Sequence, residues 1–138
     1  MATEADALVN AVNTEGVMGA GIAAQFRQAW PSMFAAHWTG GHGDVRIGQL
    51  HVWPTGGFDP RYIVNLPTKA HFRDPSKLSY VDEGLAALVC TAPELGLTSI
   101  AVPALGCGNG GLDWAEVPPL IDHHLATLDL RVLVFPPR

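Results

Sequence analysis

Apolar positions along the chain follow two rhythms. Short apolar runs at residues 7–12, 49–53, 62–66, 99–102 and 131–135 are bounded by polar, glycine or proline residues and predict strands. Between them, apolar residues recur at helical spacing. Ile22, Ala23, Phe26 and Trp30 share one face of a predicted helix over 19–30. Pro31 stops that helix and opens a second, reaching residue 38. Residues 39–44, with three glycines, read as a loop, and residues 67–77 as a long polar connection. Ser79, with Asp82 three residues on, predicts a capped helix start. Val81, Leu85, Leu88 and Val89 form that helix's stripe and Gly96 its stop. Asp113 and Glu116 cap a last helix, whose apolar face is Trp114, Val117, Ile121 and Leu125. Strands alternating with helices predict one α/β domain over residues 1–138 with a largely parallel sheet. Ligands of such sheets bind outside the carboxyl ends of the strands.

Composition narrows the class. With 138 residues, 48% of them hydrophobic and 15% charged, the chain has the material for one real core. No apolar run is long enough to cross a membrane, so a cytoplasmic protein with no membrane partner is expected. The net charge of −5 restricts any nucleic-acid contact to a local patch. Cys90 falls in the helical pattern and is expected as a buried thiol; Cys107 lies in a glycine turn, and no disulfide is expected. His37, His42 and His51 lack the spacing of a ligand set, His123 and His124 point different ways on one helix, and no metal is expected.

Two glycine-rich turns carry the strongest chemical signal. The first is Gly16-Val17-Met18-Gly19-Ala20-Gly21-Ile22; the second is Leu105-Gly106-Cys107-Gly108-Asn109-Gly110-Gly111-Leu112. Each follows an apolar strand and leads into a helix. Backbone without Cβ atoms approaches an anion closely, and the N–H groups at a helix start point at it. Two such turns facing one crevice would hold a diphosphate, hence a nucleotide-type ligand. The spacing fits neither the dinucleotide fingerprint nor the phosphate loop of ATPases.

Two further groups face the same rim. Asn13 ends its strand, where a carboxamide can both donate to and accept from a sugar hydroxyl; a plain turn asparagine is the alternative. Thr68, Lys69, His71 and Arg73 follow the strand at 62–66. Lys69 is either a solvated surface lysine, an electrostatic clamp or, partly desolvated, a nucleophile toward an anomeric carbon. His71 is an acid/base candidate or a phosphate hydrogen bonder. Cys107 at a helix start is a possible nucleophile, but the favoured reading of it is a packed loop thiol.

These motifs together resemble the macrodomain family. Ala7-Leu8-Val9-Asn10-Ala11-Val12-Asn13 with the first glycine turn carries the likeness. Leu66-Pro67-Thr68-Lys69-Ala70-His71-Phe72-Arg73-Asp74-Pro75-Ser76-Lys77, and Pro103 through Trp114, narrow it to the branch of DarG-like antitoxin macrodomains and terminal ADP-ribose glycohydrolases. The resemblance implies a three-layer α/β/α fold with a mixed, largely parallel sheet and a cleft for ADP-ribose. It implies a glycohydrolase that removes ADP-ribose from thymidine in DNA, or from glutamate in proteins; a non-catalytic reader of ADP-ribose is the alternative. Gly16, Val17, Met18, Gly19, Gly21 and Ile22, with Leu105 through Leu112, would clasp the diphosphate. Thr68 and His71 would line the site. Asn13 would orient the distal ribose, and Lys69 would attack or stabilise its anomeric carbon. No cofactor is implied, and a DarT-like transferase is the implied partner.

The chain also departs from the family. The usual first strand, whose aspartate holds adenine, has no match, and Asp6 aligns after it. Ala20 stands where DarG-like chains often carry lysine, and Phe72 replaces a common tryptophan. The terminal glycohydrolases place an aspartate in the second glycine turn where Gly110 or its neighbour stands here, which favours the DarG-like version.

Overall fold

The computed structural model describes residues 5–13, 46–57, 60–69, 75–107 and 111–136. In chain order these form β1 (Ala7–Asn13), β2 (His51–Pro54), β3 (Tyr62–Lys69), α1 (Leu78–Glu94), β4 (Ser99–Val102), a 3-10 turn (Trp114–Glu116), α2 (Val117–Leu125) and β5 (Arg131–Val134). The strands make one mixed sheet in the order β2-β3-β1-β4-β5. β2 runs antiparallel to β3, and every other pair is parallel. The carboxyl ends of β3, β1, β4 and β5 therefore share one edge of the sheet. The predicted helices over 19–38, the loop at 39–44 and the segment before Ala5, where the family's first strand would fall, lie outside the described residues.

One face of the sheet holds the main core. Ala7 and Val9 of β1, Val64 and Leu66 of β3, and Ile100 and Val102 of β4 pack against Val81, Leu85 and Leu88 of α1 and Val117, Ile121 and Leu125 of α2. Each fully buried Leu or Ile here contributes roughly 1.5–3 kcal/mol. Gly84 lets α1 come close: a Cβ there would stand 2.6 Å from Leu66 Cγ. The helix face is therefore shaped by an absent side chain as well as by the Leu stripe.

The opposite face carries Leu8, Asn10, Val12, Ile63 and Asn65, all buried. Asn10 and Asn65 are register partners, and Asn10 Nδ2 donates to Asn65 Oδ1 at 2.9 Å. Asn65 Nδ2 lies 2.9 Å from His51 Nδ1 on the next strand. The carboxamide donates, so this His51 nitrogen accepts and is unprotonated. Burial pushes the His51 pKa down, in agreement with that direction. Asn10 Oδ1 has no hydrogen-bond partner among the described residues.

Four expectations need correction. β3 runs on through Pro67, Thr68 and Lys69, which were expected in a connection. Pro67 lies past the end of the β2 ladder, which stops at Asn65, and beside a bulge, the positions at which strands tolerate proline. α1 begins at Leu78 with Lys77 as its N-cap and no side-chain cap, so Ser79 and Asp82 form no capping box. Asp82 instead pairs with His124 of α2, Nε2 to Oδ1 at 2.6 Å, tying the two helices together. Cys90, expected buried, is exposed. It stands two residues, about 200° around the helix, from buried Leu88. Gly96 does end α1; Asp113 caps the 3-10 turn by accepting from the Ala115 N–H, whereas α2 has Glu116 as its N-cap with no side-chain cap, so the two acids do not cap the last helix as expected.

Candidate functional site

The carboxyl edge of the sheet brings three predicted site segments onto neighbouring strands. β1 pairs with β3 residue for residue from Ala7↔Tyr62 to Val12↔Pro67; the register then shifts, and Asn13 stands opposite Lys69. The extra residue is Thr68. Such a bulge re-aims a side chain at the end of a strand. Here it makes Lys69, not Thr68, the cross-strand neighbour of Asn13. β4 flanks β1 on its other side, and the second glycine turn follows β4 directly.

The described part of that turn is closed and tight. The Cys107 N–H donates to Ala104 O at 3.1 Å, and the Leu112 N–H donates to Gly106 O at 2.9 Å. Leu105 is fully buried and anchors the turn in the core. Gly106 has φ 75°, and a Cβ there would overlap the Leu112 side chain and approach Ser76 Cβ at 3.2 Å. Both constraints demand glycine. The turn is thus a built element rather than a slack connection.

Electrostatics separates Cys107 from the catalytic candidates. Burial, and then the charge of Asp113, pushes its thiol pKa up. Its Sγ lies 3.8 Å from Leu105 O. A protonated, packed thiol is a poor nucleophile. Lys69 stands half-buried at the rim, opposite Asn13.

Among the described residues, Asn13, Thr68, Lys69, Leu105, Gly106, Cys107, Gly111 and Leu112 gather at this edge. Gly16, Val17, Met18, Gly19, Gly21, Ile22, His71, Gly108, Asn109 and Gly110 lie outside the described residues. Asp6 stands at the opposite end of β1, about 20 Å away along a seven-residue strand. Its carboxylate accepts from Thr98 N at 2.7 Å and Thr98 Oγ1 at 2.6 Å and pairs with Arg61 at 3.2 Å. Those bonds hold its pKa at about 2 and remove it from any role at the rim. Sequence reasoning gave no role to Ser76, which sits buried between Thr68 and Gly106. A lone serine in a polar stretch carries no chemical pattern, and only the tertiary contact singles it out.

Comparison with known proteins identifies the family. The model of the Macro domain family matches residues 9–121. A DNA ADP-ribosyl glycohydrolase of Thermus aquaticus is 49% identical over 135 residues, covering 96% of this chain and 38% of that protein. The chain thus spans about two fifths of the length of the curated relative it matches. Among solved structures, the macrodomain of Mycobacterium tuberculosis DarG superposes with a TM-score of 0.94 at 46% identity, covering 99% of this chain and 91% of that one. Thermosipho africanus DarTG in complex with ADP-ribose superposes with a TM-score of 0.90 at 28% identity, over 98% of this chain and 39% of that one. The family model covers most of the chain, and the fold superposes closely on a solved macrodomain: the chain belongs to the macrodomain family.

Proposed function

We propose that this macrodomain is a DNA ADP-ribosyl glycohydrolase, binding ADP-ribose attached to thymidine and cleaving the bond to the base. The observation that carries the reading is the cross-strand pairing of Asn13 with Lys69 at the carboxyl edge, one strand from the second glycine turn. The likeness to a DNA ADP-ribosyl glycohydrolase at 49% identity supports the DNA substrate. The structural likeness to a DarTG protein holding ADP-ribose supports the ligand, and a DarT-like transferase is the natural supplier of the modified DNA.

In this reading the two glycine turns hold the diphosphate through backbone N–H groups. Asn13 orients the distal ribose by hydrogen bonds to its hydroxyls. The Lys69 amine, in its neutral form, donates its lone pair to the anomeric carbon. The bond from that carbon to the base breaks, and the base leaves with the electron pair and takes a proton. The lysine-bound sugar opens its ring: the bond from the anomeric carbon to the ring oxygen breaks, the oxygen takes the proton lost by the amine, and an iminium forms. Water adds to it, the sugar closes again, and free ADP-ribose and the amine are restored. As an ammonium, the same group would instead stabilise the departing charge. Either role needs the amine beside the distal ribose.

The test is a side-by-side release assay on an oligonucleotide carrying ADP-ribosylated thymidine and on a protein carrying ADP-ribosylated glutamate. Faster release from the oligonucleotide supports the reading. Faster release from the protein transfers the site to a glutamate substrate, and tight binding of ADP-ribose without release from either makes the domain a reader.

A further inference from the structure

Behind the rim lies a pair of buried hydroxyls that the proposed chemistry does not use. Thr68 exposes 4% of its surface and Ser76 5%, and Ser76 Oγ stands 3.4 Å from Thr68 Oγ1. Thr68 is the bulge residue, covalently next to Lys69. Ser76 lies at the root of α1, one residue before Lys77, whose carbonyl accepts from Tyr80 N at 3.0 Å and Val81 N at 3.3 Å. On its other side Ser76 closes on Gly106, where any added Cβ would meet it. One small side chain therefore touches the bulge, the helix root and the second glycine turn.

We infer that Ser76 is a positioning residue for Lys69: its hydroxyl holds Thr68, and so fixes the bulge that sets the lysine opposite Asn13. The inference rests on the reading of Lys69 as the reacting amine. A hydrogen bond of 3.4 Å is long and adds little to stability. Its leverage is geometric, because a reacting group displaced by about 1 Å loses on the order of 100-fold in rate. Grip on the diphosphate belongs to the glycine turns, and Ser76→Ala keeps the Cβ that abuts Gly106. The loss of the hydroxyl therefore falls on turnover and spares affinity.

The experiment compares Ser76→Ala, Thr68→Val, the double variant and Thr68→Ser with the parent. It reads kcat and KM on the ADP-ribosylated oligonucleotide, ADP-ribose affinity by calorimetry, and thermal midpoint. Ser76→Ala and Thr68→Val should each lower kcat roughly tenfold or more, and Ser76→Ala should keep ADP-ribose affinity within about twofold of the parent. The double variant should be no slower than the slower single one, since both remove the same bond. Thr68→Ser, which keeps the hydroxyl, should recover most of the rate. A parental kcat in Ser76→Ala, a loss of affinity matching the loss of rate, or additive losses in the double variant would overturn the inference. If Ser76→Ala melts early, Thr68→Val and its Thr68→Ser rescue carry the same test. Full turnover by Lys69→Ala would instead sink the reading of the lysine itself, whereas an inactive Lys69→Ala beside a fully active Ser76→Ala would sink only the positioning role.

Discussion

The two ends of the sheet are held in opposite ways. At the amino end Asp6 binds three strands at once: its N–H donates to Ser99 Oγ at 2.9 Å, its carbonyl accepts from the Arg61 and Tyr62 N–H groups, and its carboxylate takes Thr98 and Arg61. At the carboxyl end the described residues show a bulge, a glycine turn closed by backbone bonds and one long hydroxyl contact. Among the described residues, side-chain hydrogen bonds fix the amino end, whereas backbone bonds of a glycine turn shape the carboxyl end. The described rim carries the irregular backbone: the bulge before Lys69 and Gly106 at positive φ.

The comparison breaks most sharply at Lys69. Replacing it with alanine should lower release of ADP-ribose by roughly a thousandfold or more, while ADP-ribose binding and the thermal midpoint stay near those of the parent. Turnover assays beside calorimetry check this. Next in size is Gly106→Ala, which forces a Cβ into Leu112 at φ 75°. Its affinity for ADP-ribose should fall at least tenfold, about 1.4 kcal/mol, read by the same calorimetry. At the other end, Asp6→Asn should cost on the order of 1 kcal/mol of stability after solvent screening and leave kcat unchanged. The Asp6 carboxyl is held at about 2 against an ordinary 3.8. Its contribution is therefore complete above pH 3.8 and is lost as pH falls toward 2; denaturation curves across that window should converge for parent and variant. The smallest effect belongs to His51. Its pKa is lowered by burial, so the neutral ring stabilises the fold above the ordinary value of 6.5, and that stability declines as pH falls below 6.5. Melting of His51→Asn should show a flatter slope there.

Most of the sheet and both described helices were legible because their burial is periodic. Val81, Leu85 and Leu88 lie at helical spacing and are buried; Val9, Val64 and Ile100 sit in short apolar runs and are buried. What failed was non-periodic or long-range. Cys90 looked buried because it sits in an apolar stretch, but its angle around the helix turns it to solvent. Pro67 read as the end of a strand, whereas the strand runs on past its ladder through a bulge that no local pattern announces. Asp82 looked like a cap; its partner, His124, comes from 42 residues away. Asn13 and Lys69 were singled out by residue type and family likeness; the one-residue shift that makes them register partners was not legible. The bond between Ser76 and Thr68 was invisible for the same reason.

The central claim is that the amine of residue 69 and the strand-end asparagine meet at one sugar. A crystal of the chain with ADP-ribose tests it most directly. The account predicts the Asn13 carboxamide on the hydroxyls of the distal ribose and Lys69 Nζ within about 3.5 Å of its anomeric carbon. A bound ligand whose distal ribose lies away from both, with Nζ directed into solvent, would contradict it.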